Sequence, residues 1–357
     1  MTQPSIPIEN IYYLFCYAWN RFEQAQAIDL GAEPSPDLPN LLARVLLNGT
    51  RAILRRGLDR AYRDFDEEIA TIRGRIDLGA TVQLRARSIR RVHCNFDELS
   101  HDLLHNQIIK ASLKRLTRAP MIDAALARDL SSAAGRMGDV ADIRLEQAAF
   151  GRVRLHRNNA YYDFLLKVAQ LAFQCFLPHS DGRGFRFEDV TRDEKKMARV
   201  FEEFVRNFYR TEQRAFAVEP LTIAWDARPI SLSGAGRLPS MRADVYLRSP
   251  GRRIILDTKY YAKALQTYHE VESYHSGNLY QLFSYLRNAA GKDPAFPEAE
   301  GVLLYPWSGK ALRDRYQIQG HEVTLATLDL TQGWPNVAGQ LHELVAPVQS
   351  AMAATAA

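Results

Sequence analysis

The chain has 357 residues, with 46 Lys and Arg against 41 Asp and Glu, a formal net charge of +5 and a sequence pI near 9.0. This length is sufficient for two ordinary domains, and no apolar run is long enough to span a bilayer, so we expect a soluble protein without membrane contact. The mildly basic balance suits a polyanionic partner but does not require one.

The cysteines and the start of the chain indicate the compartment. Cys16, Cys94 and Cys175 lie far apart and match no zinc-binding spacing. The first residues lack the pattern of a signal peptide. We therefore expect a reducing compartment, and a cytoplasmic location.

Apolar residues at helical spacing predict five helices in the first half of the chain, over residues 6–19, 41–56, 102–118, 122–137 and 160–177. We expect the first helix to pack against the body of an N-terminal domain and Ser100 to cap the third helix. Residues 62–99 follow a short β-like pattern, in which Arg73-Gly74-Arg75 reads as an exposed turn. The remaining segments are predicted as loops or a linker, over residues 31–39, 142–155 and 179–184.

These patterns predict a domain boundary near residue 180. The N-terminal domain would comprise residues 1–180 and the second domain residues 181–350. The Ala-rich tail, residues 351–357, is expected to be frayed.

The second half alternates strands with helices, which predicts an α/β (α+β) fold. Strands or extended segments are expected over residues 185–190, 221–225, 243–247, 254–260, 301–305, 315–319 and 322–328, the last two as edge strands. Helices are expected over residues 191–212, 278–288 and 334–348. Residues 233–237 read as a Gly-rich loop, and residues 263–275 as a charged loop near a substrate.

The most informative stretch is a predicted β-hairpin over residues 243–260, turning at Ser249-Pro250-Gly251. If the turn is centred between Pro250 and Gly251, residues whose numbers sum to about 501 face each other, which places Asp244 opposite Asp257. Alternation along the strand puts Lys259 on the face of Asp257 and Thr258 on the other face.

Two carboxylates and an ammonium at one point favour metal-assisted hydrolysis of a phosphodiester. Close carboxylates repel unless a cation lies between them, and Mg²⁺ is held by one or two carboxylates together with phosphate oxygens and water. A lysine there can orient or deprotonate the attacking water. The alternative is a surface hairpin in which Asp257 and Lys259 form a solvated ion pair. The basic runs of the chain likewise have an alternative to phosphate binding, as solvated faces of helices or loops.

Further positions extend or limit this hypothesis. Gln281 and Tyr285 lie one turn apart on the same side of a predicted helix. Glu202, beside the inner face of the predicted 191–212 helix, is a candidate acidic ligand or an ordinary surface glutamate. Ser308-Gly309-Lys310 lacks the upstream glycine of a phosphate-binding loop, so we expect no nucleotide hydrolysis by the chain itself.

The hairpin resembles the PD-(D/E)xK nuclease core, with Asp244, Asp257 and Lys259 in its motif positions, and the Gln281-x-x-x-Tyr285 pattern resembles an additional motif of part of that superfamily. The whole chain resembles the McrC family, nuclease subunits of McrBC-type systems that restrict DNA containing 5-methylcytosine. The stretches that carry this resemblance are residues 6–14, 72–76, 106–110, 256–261, 278–282 and 303–306.

The resemblance implies a C-terminal restriction-endonuclease-like core, with a mixed sheet flanked by helices, and a mixed α+β N-terminal domain that docks into a partner. That partner would be a McrB-like AAA+ GTPase hexamer, which recognises methylated double-stranded DNA. Arg73 and Arg75 match a motif of the family. Their role would be either to contact the pore of the partner ring or to determine the fold.

The resemblance also implies the roles of the site residues. Asp244, Asp257 and the Thr258 carbonyl would bind Mg²⁺, with Mn²⁺ as a possible substitute, and Lys259 would activate water. Gln281 and Tyr285 would orient Lys259 or the DNA backbone. Two alternatives stay open: a non-catalytic adaptor that activates a ring NTPase and holds DNA, and a nuclease of the same fold with a different motor.

Overall fold

The computed structural model describes residues 6–26, 35, 37–156, 159–178, 185–230, 237–260, 265–268, 271–290, 299–307 and 311–347. The chain forms two compact units. One comprises Glu23–Glu188, and the other combines Met1–Phe22 with Asp189–Ala357. Predictions for residues 31–34, 179–184, 233–236 and the tail 351–357 lie outside the described residues.

The unit Glu23–Glu188 contains a helical body and a β-ribbon. Its helices are α3 (Leu38–Arg56), α4 (Leu78–Ala86), α5 (Leu104–Leu116), α6 (Ala124–Gly135), α7 (Gln147–Arg152) and α8 (Ala160–Cys175), preceded by the short α2 (Phe22–Gln26). Its strands are β1 (Ala61–Ile69), β2 (Arg75–Ile76), β3 (Val92–Ser100), β4 (Phe176–Pro178) and β5 (Phe185–Phe187).

The helical body forms around α3, α5, α6 and α8, which pack on one another. Helix α3 begins where the Asp37 side chain accepts a hydrogen bond from Asn40 N, and it ends at Gly57, whose φ of 92° few other residues adopt. Its apolar face, which includes Leu42, Val45 and Leu46, is buried. Burial of these faces stabilises the unit.

In the β-ribbon, β1 and β3 are antiparallel: Ala61 pairs with Ser100 at one end and Ile69 pairs with Val92 at the other. Strand β2 pairs with the other edge of β3. The β-like pattern over residues 62–99 is confirmed for these strands, but it missed α4. The signal for α4 is Asp77, whose side chain accepts from Ala80 N at the helix start.

Two further local predictions are wrong. Ser100 ends β3 and its Oγ accepts from Asp102 N, whereas α5 begins after Leu103 without a side-chain cap. The segment 142–155, predicted as a loop, contains α7.

The first helix, α1 (Ile8–Ala18), packs against the C-terminal elements rather than the N-terminal domain, which corrects the prediction. Asn10 Nδ2 donates to Leu330 O at 2.8 Å and to Gln332 O at 2.6 Å. Asn207 Nδ2 donates to Tyr17 O at 2.9 Å. The amphipathic pattern marked the buried face of this helix, but not the surface that covers it.

The C-terminal unit is built on a six-stranded mixed sheet with the order β12-β13-β11-β8-β7-β6. The strands are β6 (Ala217–Ile223), β7 (Met241–Arg248), β8 (Arg253–Thr258), β11 (Glu300–Pro306), β12 (Arg313–Ile318) and β13 (His321–Leu328). The helices are α9 (Glu194–Glu212), α10 (Ser276–Ala290) and α11 (Trp334–Val345).

Strands β8, β11 and β13 run parallel, and the other neighbours are antiparallel. The expected mixed sheet with flanking helices is therefore confirmed. Strand β13 lies inside the sheet and not at its edge as predicted, because β12 covers it. Part of the predicted 263–275 loop forms a small antiparallel pair of strands, β9 (Leu265–Tyr268) and β10 (Val271–Tyr274).

Candidate active site

The register of the hairpin β7–β8 agrees with the sequence. Val245 pairs with Leu256 and Arg248 pairs with Arg253, so each pair sums to 501. Ser249 N donates to Arg252 O at 2.9 Å and closes the turn. The ladder ends one step before the pair that Asp244 and Asp257 would form.

A β-bulge places Asp244. Glu219 pairs with Tyr246 and Leu221 with Ala243, so two residues of β7, Asp244 and Val245, lie opposite a single residue of β6. That residue is Pro220, which has no N–H to donate to the ladder. Bulges of this kind redirect a side chain and are common beside active sites.

The redirected Asp244 carboxylate is held by the neighbouring strand. Its Oδ2 accepts from the Thr258 N–H and from the Thr258 hydroxyl, both at 2.8 Å. Asp244 therefore lies against the residue that directly follows Asp257. Two hydrogen bonds from one residue fix the carboxylate at the end of β8.

Asp257 is the buried member of the site, with no exposed surface. The Lys259 Nζ lies 2.5 Å from its Oδ2 as an ion pair. Besides this ammonium, no donor within the described residues has the geometry of a hydrogen bond to an Asp257 carboxylate oxygen. Oδ2 is therefore partnered by Lys259, and Oδ1 retains capacity for a cation.

The pKa of Asp257 reflects this environment. Burial raises it first, and the Asp244 carboxylate raises it further, while the Lys259 ammonium lowers it, for a pKa of about 6. The hydrogen bonds of Asp244 to Thr258, the residue that follows Asp257, bring the two carboxylates to the same end of β8. They are therefore poised to share a positive partner.

Helix α10 supports the lysine. Lys259 Nζ donates to Gln281 Oε1 at 3.0 Å, and Gln281 Nε2 donates to the Tyr285 hydroxyl oxygen. Burial raises the pKa of the Tyr285 hydroxyl, so it stays protonated. The structure thus brings both predicted α10 residues to the site, in a chain that orients the ammonium beside Asp257.

Helix α9 brings a residue that the sequence analysis missed. Arg206 is buried, its Nε donates to Asp244 O at 2.8 Å, and its guanidinium pairs with Glu202 and Glu203. Burial, and then the Asp244 carboxylate, raise the pKa of Glu202, so Glu202 lies near the site. The available signal was the spacing, because Arg206 follows these glutamates by four and three residues on one helix face.

The comparisons with known proteins identify the family of the chain. The model of a family described as the McrBC 5-methylcytosine restriction system component matches residues 9–306. A curated Escherichia coli (strain K12) relative, the type IV methyl-directed restriction enzyme EcoKMcrBC, is 31% identical over 344 residues, which cover 96% of this chain and 98% of the relative.

The chain belongs to the McrBC family. Its fold is also similar to a solved structure, a refined half-complex from a tetradecameric assembly of Thermococcus gammatolerans McrB AAA+ hexamers with bound McrC. The TM-score is 0.57 at 17% identity, over 94% of this chain and 77% of that chain. Within the described part of this McrBC-family chain, no helix has the length and apolar character to cross a membrane.

The donor set of this McrBC-family site is small. The described residues contain no group of three or more His, Cys, Asp or Glu side chains that could hold a metal ion. Glu202 pairs with the Arg206 guanidinium, whereas the Asp244 and Asp257 carboxylates converge at the end of β8. Two carboxylates fit Mg²⁺, which takes the rest of its coordination shell from water and substrate phosphate.

Proposed function

We propose that the chain is the endonuclease subunit of a McrBC-type restriction system, and that it hydrolyses phosphodiester bonds of double-stranded DNA with Mg²⁺. The observation that carries this proposal is the convergence of Asp244, Asp257 and Lys259 at the end of one hairpin, with Gln281 orienting the lysine. The family model covers all of these residues.

Asp244, Asp257 and the Thr258 carbonyl would hold the Mg²⁺, with Mn²⁺ as a substitute. The buried Asp257 Oδ1, which accepts no hydrogen bond from the described residues, supports this assignment. When bound, the ion neutralises charge on the phosphate and makes a coordinated water more acidic. Lys259 would orient or activate the attacking water, and Gln281 with Tyr285 would hold its ammonium beside Asp257.

We also propose that the chain works with a McrB-like AAA+ GTPase, which recognises methylcytosine and which this chain stimulates. The T. gammatolerans structure similar in fold contains McrB AAA+ hexamers with bound McrC. The sequence of this chain lacks a phosphate-binding loop of its own, which agrees with such a division of labour. The N-terminal unit, with its exposed β-ribbon, would dock into the ring, in the cytoplasm.

Reconstitution tests the proposal. The full chain is combined with the AAA+ protein encoded next to it, GTP, Mg²⁺ and methylated or unmethylated plasmid. Asp257→Ala and Lys259→Ala should abolish cleavage and leave the stimulation of GTP hydrolysis intact. Cleavage by the Asp257→Ala protein at the unchanged rate would show that the site is misassigned.

Calorimetric titration separates the nuclease from a non-catalytic adaptor. The unchanged chain should bind Mg²⁺ or Mn²⁺, and Asp244→Asn should weaken this binding, because Asp244 supplies a carboxylate donor. An adaptor would show no binding that depends on Asp244. Asp314→Asn, a change on β12, is the matched control and should bind the ion as the unchanged chain does.

A further inference from the structure

The described ends of the connection between β6 and β7, residues 224–230 and 237–240, lie beside the candidate active site. The chain leaves the sheet at Ile223 and re-enters it at Met241, the register partner of Ile223. This is the end of β7 that carries Asp244, three residues further along. Trp225 Nε1 donates to Pro239 O at 2.8 Å, which ties the two ends of the segment together.

A second hydrogen bond joins this segment to α10. Asp226 N donates to Asn288 Oδ1 at 2.8 Å. Helix α10 also carries Gln281, which orients Lys259. The base of the segment is therefore attached to α10 as well as to β7.

The segment and the start of β7 expose a group of residues that we call the site-end surface. Its members are Trp225, Arg228, Ile230, Arg237, Leu238 and Arg242. Ile230 is fully exposed, and Leu238 and Trp225 are 59% and 38% exposed. Exposed apolar side chains interleaved with arginines are typical of surfaces that bind a partner.

The arginines of this surface differ from those at the other end of the same hairpin. Arg248 pairs with Glu219 and Arg252 with Glu300, each through two nitrogens. Over the described parts of the chain, the three arginines of the site-end surface form no ion pair. Their charge is therefore available to an external anion.

Strand geometry relates this charge to the site. Arg242 and Asp244 are two residues apart on β7, which corresponds to about 7 Å along the strand. Phosphates of one DNA strand follow at about 3.4 Å along the helix axis. When the phosphodiester to be cut lies at Asp244, the Arg242 guanidinium is therefore within reach of phosphates a few nucleotides away on the same DNA strand.

We propose that the site-end surface binds double-stranded DNA directly beside the bond to be cut. Arg228, Arg237 and Arg242 contact backbone phosphates, and Ile230 and Leu238 contact sugars or base edges in a groove. This inference rests on the proposed nuclease function, and it identifies the protein surface that holds the substrate.

Binding of the full-length chain to a 40-base-pair duplex, measured by fluorescence anisotropy without divalent ions, tests the surface independently of cleavage. Arg228→Ala/Arg242→Ala should lower the affinity at least about tenfold. It should also reduce the slope of log affinity against log salt by about 2, because each phosphate contact contributes about 0.9. Arg228→Lys/Arg242→Lys should restore most of the slope.

The matched control is Arg214→Ala/Arg248→Ala, which removes the same charge from the other end of the sheet and should leave the salt slope unchanged. Ile230→Ser should weaken binding without changing the slope. Since all of these side chains are exposed, the variants should fold normally.

Equal loss of affinity in the control and the site-end variant would overturn the inference. So would an arginine variant that binds the duplex normally but fails to stimulate the GTPase, since the surface would then face the protein partner. Absence of duplex binding by the unchanged chain, with and without its partner, would overturn it as well. If the unchanged chain binds DNA through these arginines but never cleaves it, the DNA-binding surface stands, whereas the nuclease function and the placement of this surface beside a cut bond fail.

Discussion

Replacing Asp257 by Asn should stabilise the chain at neutral pH while it destroys the site. The pKa of Asp257 is about 6 in the folded protein, against an ordinary value of 3.8. The folded state therefore holds this proton more tightly than the unfolded chain does. Below pH 4 the Asp257 carboxyl group does not lower the free energy of unfolding. It lowers this free energy progressively as the pH rises to about 6, and the loss persists above that pH.

The magnitude follows from the shift. A difference of about two pKa units corresponds to about 3 kcal/mol of unfolding free energy at pH 7.5. Asn resembles the neutral acid, so Asp257→Asn should raise the free energy of unfolding by up to that amount at pH 7.5 and by nothing near pH 4. The exposed Asp226→Asn is the control, with an expected change within about 0.5 kcal/mol.

Tryptophan fluorescence during urea unfolding is a suitable assay, because all four tryptophans lie in the C-terminal unit: Trp19, Trp225, Trp307 and Trp334. Saturating Mg²⁺ should stabilise the unchanged chain, by about 2.7 kcal/mol at one hundred times its dissociation constant, and should not stabilise Asp257→Asn. Equal stability of the two proteins at pH 7.5, or an equal gain at pH 4 and pH 7.5, would show that the buried Asp257 carboxylate does not destabilise the folded chain.

Three other changes test the supports of the site and of the β-ribbon. Arg206→Ala should lower the unfolding free energy by about 2 kcal/mol, because it removes a charged donor from Asp244 O; urea unfolding measures this loss. Gly74→Ala should destabilise the ribbon by more than about 1 kcal/mol, because Gly74 has a φ of 58° and a Cβ would lie 2.5 Å from a backbone oxygen; hydrogen exchange in β3 reports this change. Gln281→Ala should slow cleavage about tenfold or more, because Lys259 loses its acceptor; single-turnover cleavage of methylated plasmid measures the rate.

Each of these changes has its own control. Gly135→Ala meets no atom within 4 Å and should leave exchange in β3 unaltered. Arg206→Lys keeps the charge but loses the fork that reaches Asp244 and Glu202 together, so it should recover only part of the stability. For Gln281→Ala, unchanged stimulation of the partner GTPase would locate the effect in the cleavage step, and an unchanged cleavage rate would contradict the proposed orientation of Lys259.

The parts of the site that depend on short-range geometry were predictable from the order of the residues. The turn at Ser249-Pro250-Gly251 set the hairpin register, because few residues separate the two strands and the pairing follows from the turn. The i, i+4 spacing placed Gln281 and Tyr285 on one side of α10 for the same local reason. Period and connectivity are properties of neighbouring residues, so a sequence carries them directly.

The surfaces that these elements cover follow from the folded arrangement and not from the local pattern of residues. Helix α1 packs in the C-terminal unit, β13 lies inside the sheet, and Arg206 reaches Asp244 from another element. The bulge opposite Pro220 redirects Asp244 toward Thr258, a contact that ideal strand alternation does not contain. These outcomes depend on which distant apolar faces are buried together, and the periodicity of a segment marks its buried face without identifying the partner of that face.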